Sequence, residues 1–171
     1  MIIVKATLAD VPVLNVLINS AYRGESSKKG WTTEADLLDG IRTDSESLSE
    51  LLNKPGSVML LYKNDDEKIV GCVNLQKQND KIYLGMLTVN PELQGGGVGK
   101  RLLKASEDYA KENGCTKIYM TVISLRKELI AWYERQGYHV TGEKKPFPMN
   151  DPKFGLPKTQ LDFIVMEKNI V

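Results

Sequence analysis

The chain has 171 residues and a formal net charge of +1, with charged side chains making up 26% of the sequence and both signs scattered along it. Such a balance excludes recruitment of a polyanion by a basic surface, so no nucleic-acid partner is expected and small molecules or peptides are the ligands to look for. No apolar run approaches the ~20 residues of a membrane span and the opening Met-Ile-Ile-Val-Lys-Ala lacks the layout of a signal peptide, so one domain over residues 1–171, cytoplasmic and without a membrane partner, is the expectation.

A first strand is predicted near residues 2–7. The amphipathic helix after it, over 10–22, sets Val11, Leu14, Leu17, Ile18 and Ala21 on one face at helical spacing. A second helical region is predicted to start at Thr33, whose hydroxyl can cap the amides of Ala35 or Asp36, and to run irregularly to about 53, where Pro55-Gly56 ends it. Between the two helices, residues 22–34 hold Trp31 in a loop. There it either forms a wall of a ligand pocket or folds back on the core. From Gly24 to Glu50 carboxylates outnumber cations by seven to three, which suits a cationic ligand or a solvated acidic helix face.

Strands follow at 58–63 and 69–77, split by Asn64-Asp65-Asp66-Glu67, and a third at 81–89 comes after the Asn79-Asp80 turn, giving an antiparallel meander. A glycine-rich loop then feeds a helix over 97–113, ended by Asn113-Gly114. A strand at 116–123, a helix carrying Tyr133 and closed by Gly137, and strands near 138–143 and 160–168 complete the order. The connection between the last two strands carries Pro146, Pro148, Pro152 and Pro157, fitting either a loop over an active site or a surface excursion. An exposed final strand at 160–168 would offer an edge on which a homodimer could pair.

The loop Asn90-Pro91-Glu92-Leu93-Gln94-Gly95-Gly96-Gly97-Val98-Gly99-Lys100 is the strongest chemical signal. Glycines let successive N–H groups turn into one concavity, and the helix after them adds unpaired amides and its positive dipole end, so the loop is built for an anion. A phosphate-binding Walker loop would need Gly where Gln94 stands and Ser or Thr where Arg101 stands; a dinucleotide fingerprint would need a third glycine at Lys100. What remains is Gln-x-x-Gly-x-Gly, met by Gln94, Gly97 and Gly99.

This hexapeptide resembles the acyl-CoA pyrophosphate loop of the GNAT superfamily of N-acetyltransferases. The preceding strand is similar to the family's splayed fourth strand, and Tyr133-x-x-x-Gly137-Tyr138 to its second signature. The resemblance covers roughly residues 58–143. It implies an α+β fold: a mixed, mostly antiparallel central sheet of six to seven strands, helices on both faces, and a splayed central pair that admits acyl-CoA. The implied reaction is direct transfer of an acetyl group from the cosubstrate acetyl-CoA to a primary amine of a small molecule or short peptide. An acyl-CoA-binding module without transfer, or an acetyltransferase of protein lysines or N-termini, are the alternatives.

The resemblance also implies roles. Gly95, Gly96, Gly97, Val98, Gly99 and Lys100, with Gln94, would hold the pyrophosphate, aided by Arg101 and Lys104. Leu87, Thr88 and Val89 would offer backbone to the pantetheine arm, and an N–H near Met86 or Leu87 would stabilise the oxyanion. Tyr133 would be the general acid for the departing thiolate. Arg126 stands where many members carry an asparagine that touches pantetheine. It would pair a phosphate or an acidic substrate group, or else a nearby Glu128 or Glu134. For the amine's base, which the sequence does not name, Glu34 and Glu25 rank ahead of Glu92 with Tyr83 another option, and Tyr22, Glu25, Trp31, Thr32 and Tyr83 are the expected acceptor contacts.

Cys72 and Cys115 have no C-x-x-C spacing and no histidine cluster around them, so neither a metal site nor a disulfide is expected and both read as structural thiols. His139, the single histidine, falls in a predicted strand and reads as a packing residue.

Overall fold

The structure, a computed structural model, describes residues 2–22, 38–39, 42–93, 96–146, 156–157 and 161–170, with backbone alone at 38–39 and 156–157. Strand β1 (Ile2–Lys5) stops where the Thr7 amide donates to the Asp10 carboxylate at 2.8 Å, which starts a short 3-10 turn. Helix α1 (Val11–Tyr22) follows, burying Leu14, Leu17, Ile18 and Ala21. After β2 (Leu38–Asp39) come helix α2 (Ser45–Asn53) and strands β3 (Ser57–Lys63), β4 (Ile69–Gln78) and β5 (Lys81–Val89). Glu67 and Asn79, each in the left-handed region (φ 61° and 58°), turn the chain between these strands. Helix α3 (Val98–Glu112), strand β6 (Lys117–Ile123), helix α4 (Lys127–Arg135) and strands β7 (His139–Pro146), β8 (Leu156–Pro157) and β9 (Asp162–Asn169) complete the order.

Seven strands form one sheet in the order β1-β3-β4-β5-β6-β9-β7. Every neighbouring pair is antiparallel except β5 and β6, which run parallel and pair only from Lys81–Tyr83 to Lys117–Tyr119. Beyond Tyr83 the two strands have no shared register, so the centre of the sheet opens into a cleft. This is the splayed mixed sheet expected from the sequence. Helices α1 and α2 cover one face, where Leu14, Ile18, Leu48, Leu61 and Cys72 pack together. Helices α3 and α4 cover the other, over Leu102, Ile118, Met120, Leu129 and Tyr133. The gap between β5 and β6 therefore lies between two helical layers, each with its own core.

Two sequence expectations are corrected here. The helical region expected from Thr33, which lies outside the described residues, to about 53 does not run through: a helix begins at Ser45, where Asp44 is the cap and its carboxylate accepts from the Ser47 amide at 2.7 Å. Ahead of it, Leu38–Asp39 is extended and pairs antiparallel with Leu156–Pro157 in the proline-bearing connection. The amides of Arg42 and Thr43 are held by the Asn19 side chain (2.7 and 3.1 Å), which takes them out of any helix. The final strand is also not an edge. Strand β9 inserts between β6 and β7, leaving β7, exposed along its length, at the rim, so Asp162–Asn169 offers no free edge for a partner copy.

Burial also sets an alkaline limit to stability. The Cys72 thiol is fully enclosed and its pKa is pushed from the ordinary 9.0 up to about 12, and burial raises the Tyr133 and Tyr138 phenols above theirs as well. In each case the folded state holds the proton more tightly than the unfolded chain. The stability is therefore complete below about pH 9 and is lost as pH rises from there toward 12. Denaturation midpoints measured between pH 8 and 11 are expected to fall steadily, and less so in Cys72→Ala; a flat profile would contradict the burial assigned to these groups.

Candidate functional site

The centre of the site is a bulge in β5. Cys72 pairs with Thr88 and Asn74 with Gly85, so two residues, Met86 and Leu87, lie opposite Val73 alone, and neither has a register partner in β4. Met86 takes a left-handed conformation (φ 51°) although it is not glycine. Neighbouring side chains hold the distortion. The Thr88 hydroxyl donates to the Met86 carbonyl at 2.8 Å, and the Tyr22 hydroxyl, at the end of α1, donates to the Leu87 carbonyl. With both carbonyls engaged, the bulge is fixed at the point where β5 parts from β6.

Tyr133 and Arg126 both neighbour Tyr22, the residue that clamps the bulge. Tyr133, from α4, is 5% exposed and packs its ring edge-on to Trp132 and Tyr138 at 5.2 and 5.9 Å. Its pKa is raised well above the ordinary tyrosine value, first by burial and next by Tyr22, while the nearby Arg126 cation pulls the other way. The group is a neutral phenol throughout the physiological range. Arg126, at the start of α4, has its guanidinium 5.9 Å over the Tyr22 ring. Tyr22 is therefore a structural clamp on Leu87 as well as a neighbour of the cleft. Tyr83 sits where the strands divide: its ring lies 5.2 Å from Tyr119 and its hydroxyl 3.4 Å from that of Thr121 across the gap.

The glycine loop ends as anticipated. Gly97 is the N-cap of α3 in the left-handed region (φ 85°), and Val98, Gly99 and Lys100 form the first turn. A Cβ on Gly99 would meet the Trp132 ring at 3.3 Å, so the bare backbone lets the loop rest on α4 one residue before Tyr133. Leu87 and Val89 are buried at 2%, and the Thr88 side chain is spent on the bulge. Arg101 donates to the Tyr62 hydroxyl at 2.6 Å, and Lys104 makes an exposed pair with Asp108 at 3.0 Å. Gln94, Gly95, Glu25, Trp31, Thr32 and Glu34 lie outside the described residues. Glu92 is exposed in a 3-10 turn (Pro91–Leu93).

A cavity of about 440 Å³ opens beside the bulge, lined by Met86 and, along α2 and the segment before it, by Arg42, Thr43, Ser47, Glu50, Leu51 and Lys54. None of these except Met86 was anticipated as a site residue, because the sequence reading places Arg42 and Thr43 inside one helical region running to about 53. The signal was present in Asp44-x-x-Ser47, a cap that moves Arg42 and Thr43 from mid-helix to a helix entrance. Asn19 fixes that entrance. Besides accepting from both amides, it donates to the Thr43 carbonyl at 3.0 Å. Asn19→Ala is expected to cost about 1–3 kcal/mol in a denaturant titration, because it strands three backbone groups at once.

Among the described residues no group of three or more His, Cys, Asp or Glu is disposed to hold a metal ion, and no helix is long and apolar enough to cross a membrane. His139, read from the sequence as a packing residue, is exposed and lies 3.5 Å from Glu167, and both cysteines are free and buried.

The sequence matches the acetyltransferase (GNAT) family over residues 17–138. The chain belongs to that family. It is 25% identical to human N-acetyltransferase 8B over 124 residues, covering 68% of this chain and 53% of that protein. The chain thus spans about half the length of the curated relatives it matches. In fold it is similar to a ribosomal-protein-alanine N-acetyltransferase from Brucella melitensis, with TM-score 0.72, 23% identity and 99% of each chain covered. It also resembles a streptothricin acetyltransferase from Bacillus anthracis solved with acetyl coenzyme A, with TM-score 0.59 and 22% identity over 70% of this chain and 66% of that one. Membership of the GNAT family indicates acyl transfer, and it leaves the acceptor to be read from the site itself.

Proposed function

We propose that the chain transfers an acetyl group directly from acetyl-CoA to a primary amine of a small molecule or short peptide. The observation that carries this reading is the combination along β5 of a strand pair interrupted beyond Tyr83, a backbone bulge at Met86 and Leu87, and a buried neutral tyrosine, Tyr133, in the same core cluster as Leu87. Each supplies one requirement of the reaction. The glycine-rich turn at Gly96, Gly97, Val98, Gly99 and Lys100, with Gln94 and Gly95, would take the pyrophosphate on its amides. The open edge of β5 beside Leu87 and Val89 would pair the pantetheine amides. An N–H at Met86 or Leu87 would face the oxyanion of the tetrahedral intermediate, and Tyr133 would protonate the departing thiolate.

The cavity at Met86 supports entry of the amine from the side of α2. The ammonium must lose its proton before attack, a task we assign to the carboxylate of Glu34 or Glu25, with Tyr22, Trp31, Thr32 and Tyr83 around the acceptor. Thiol release from acetyl-CoA, followed against free amino acids, short peptides, polyamines, aminoglycosides, arylamines and a lysine peptide, tests the assignment. Release with one class supports transfer. Silence across the panel, with a melting temperature that still rises on adding acetyl-CoA, would favour a binding module without transfer.

A further inference from the structure

Resting on that reading, we infer that the acceptor carries a carboxylate in addition to its reacting amine, and that Arg42, assisted by Lys54, recognises it. The cavity beside Met86 is bounded by these two cations at either end of α2 and by the carboxylate of Glu50 alone. Among the described residues neither cation is neutralised. Lys54 Nζ contacts the uncharged Gln76 side chain at 2.9 Å, and Arg42 lies 5.5 Å over the Tyr22 ring, which orients a guanidinium without cancelling its charge. Arg126 leans on the same ring at 5.9 Å.

The cavity has a second feature that asks for an oxygen-rich ligand. Thr43 is 1% exposed and lines it, yet its hydroxyl has no hydrogen-bond partner among the described residues; the Ser47 hydroxyl is buried in the same condition. A hydroxyl without an acceptor is costly inside a protein, and a carboxylate oxygen between Arg42 and Thr43 would relieve it. The acidic excess counted along residues 24–50 does not reach this space from the side chains described. Asp44 is used as a helix cap, Glu46 is exposed, and only Glu50 lines the wall. Among the described lining residues a polyamine would therefore meet two cations and one anion.

The test compares matched acceptors in the thiol-release assay: amino acids against their carboxamides, dipeptides with a free C-terminus against the amidated forms, and spermidine. The free carboxylates are expected to be used with kcat/KM at least roughly tenfold above their amides and above spermidine. Arg42→Gln is expected to raise KM for the carboxylate acceptor by about 10-fold or more while the acetyl-CoA KM stays put, with partial recovery in Arg42→Lys; Lys54→Gln, away from the Tyr22 stack, should show a smaller change of the same kind. Equal use of carboxylates and amides, or a preference for spermidine, would overturn the inference and leave the transferase intact. Silence with every acceptor would remove the transferase reading and this inference with it.

Discussion

Tyr133→Phe is expected to lower kcat by about 10²- to 10⁴-fold with little effect on the KM for acetyl-CoA. The hydroxyl is the only atom removed, and the ring would keep its edge contacts with Trp132 and Tyr138. Because burial holds the phenol neutral far above the working pH, the wild-type rate should show no loss of the acid form below about pH 10. Steady-state kinetics of the variant, together with its melting temperature, separate chemistry from packing. An unchanged kcat would remove Tyr133 from proton transfer while leaving the fold and the family where they are.

Gly71→Ala is expected to be the most damaging small substitution in the sheet. A methyl there would sit 2.9 Å from the Thr88 carbonyl, 3.0 Å from Val98 and 3.1 Å from Leu102. Backbone on one side and the first turns of α3 on the other leave it no direction of relief. A cost of about 1–3 kcal/mol follows for such overpacking, and a fall in Tm of roughly 3–10 °C in a chain of this size. The same displacement pushes α3 and the end of β5 apart, so the thermal shift produced by acetyl-CoA should shrink as well. If the variant melts with the wild type and binds normally, the tight seat of α3 on β4 is wrong.

Much of this was legible in the residues. Apolar spacing gave α1 to within a residue, Asn113-Gly114 and Gly137 gave the ends of α3 and α4, and the order of strands from β3 to β6 followed from turn chemistry. The loop motif and the Tyr133 signature led to the family because short-range backbone demands, a left-handed Gly97 and a bare Gly99 against Trp132, are written in residue type. What failed depended on partners distant in sequence. Asn19 decides that Arg42 and Thr43 are not helical from more than twenty residues away. The insertion of β9 inside β7 is a property of the whole sheet, and composition has no record of it. The cation-lined cavity was hidden for a further reason: a tally of charges along residues 24–50 says nothing about which way each one points.

The bulge at Met86 also inverts the sidedness of its strand. Ile82 and Leu84, at even positions, belong to the core beneath α3 and α4; after the bulge Leu87 and Val89, at odd positions, belong to that same core. Alternation along a strand has a period of two, so one additional residue exchanges inside for outside from there on. Removing a single residue between Gly85 and Leu87 would thus not merely shorten a strand. It would turn Leu87 and Val89 toward α1, turn Thr88 away from its carbonyl, and present the end of β5 that has parted from β6 with the wrong set of side chains. Length in this segment behaves as a parity bit, and drift by insertion or deletion, tolerated in the turns on either side, has no neutral step here.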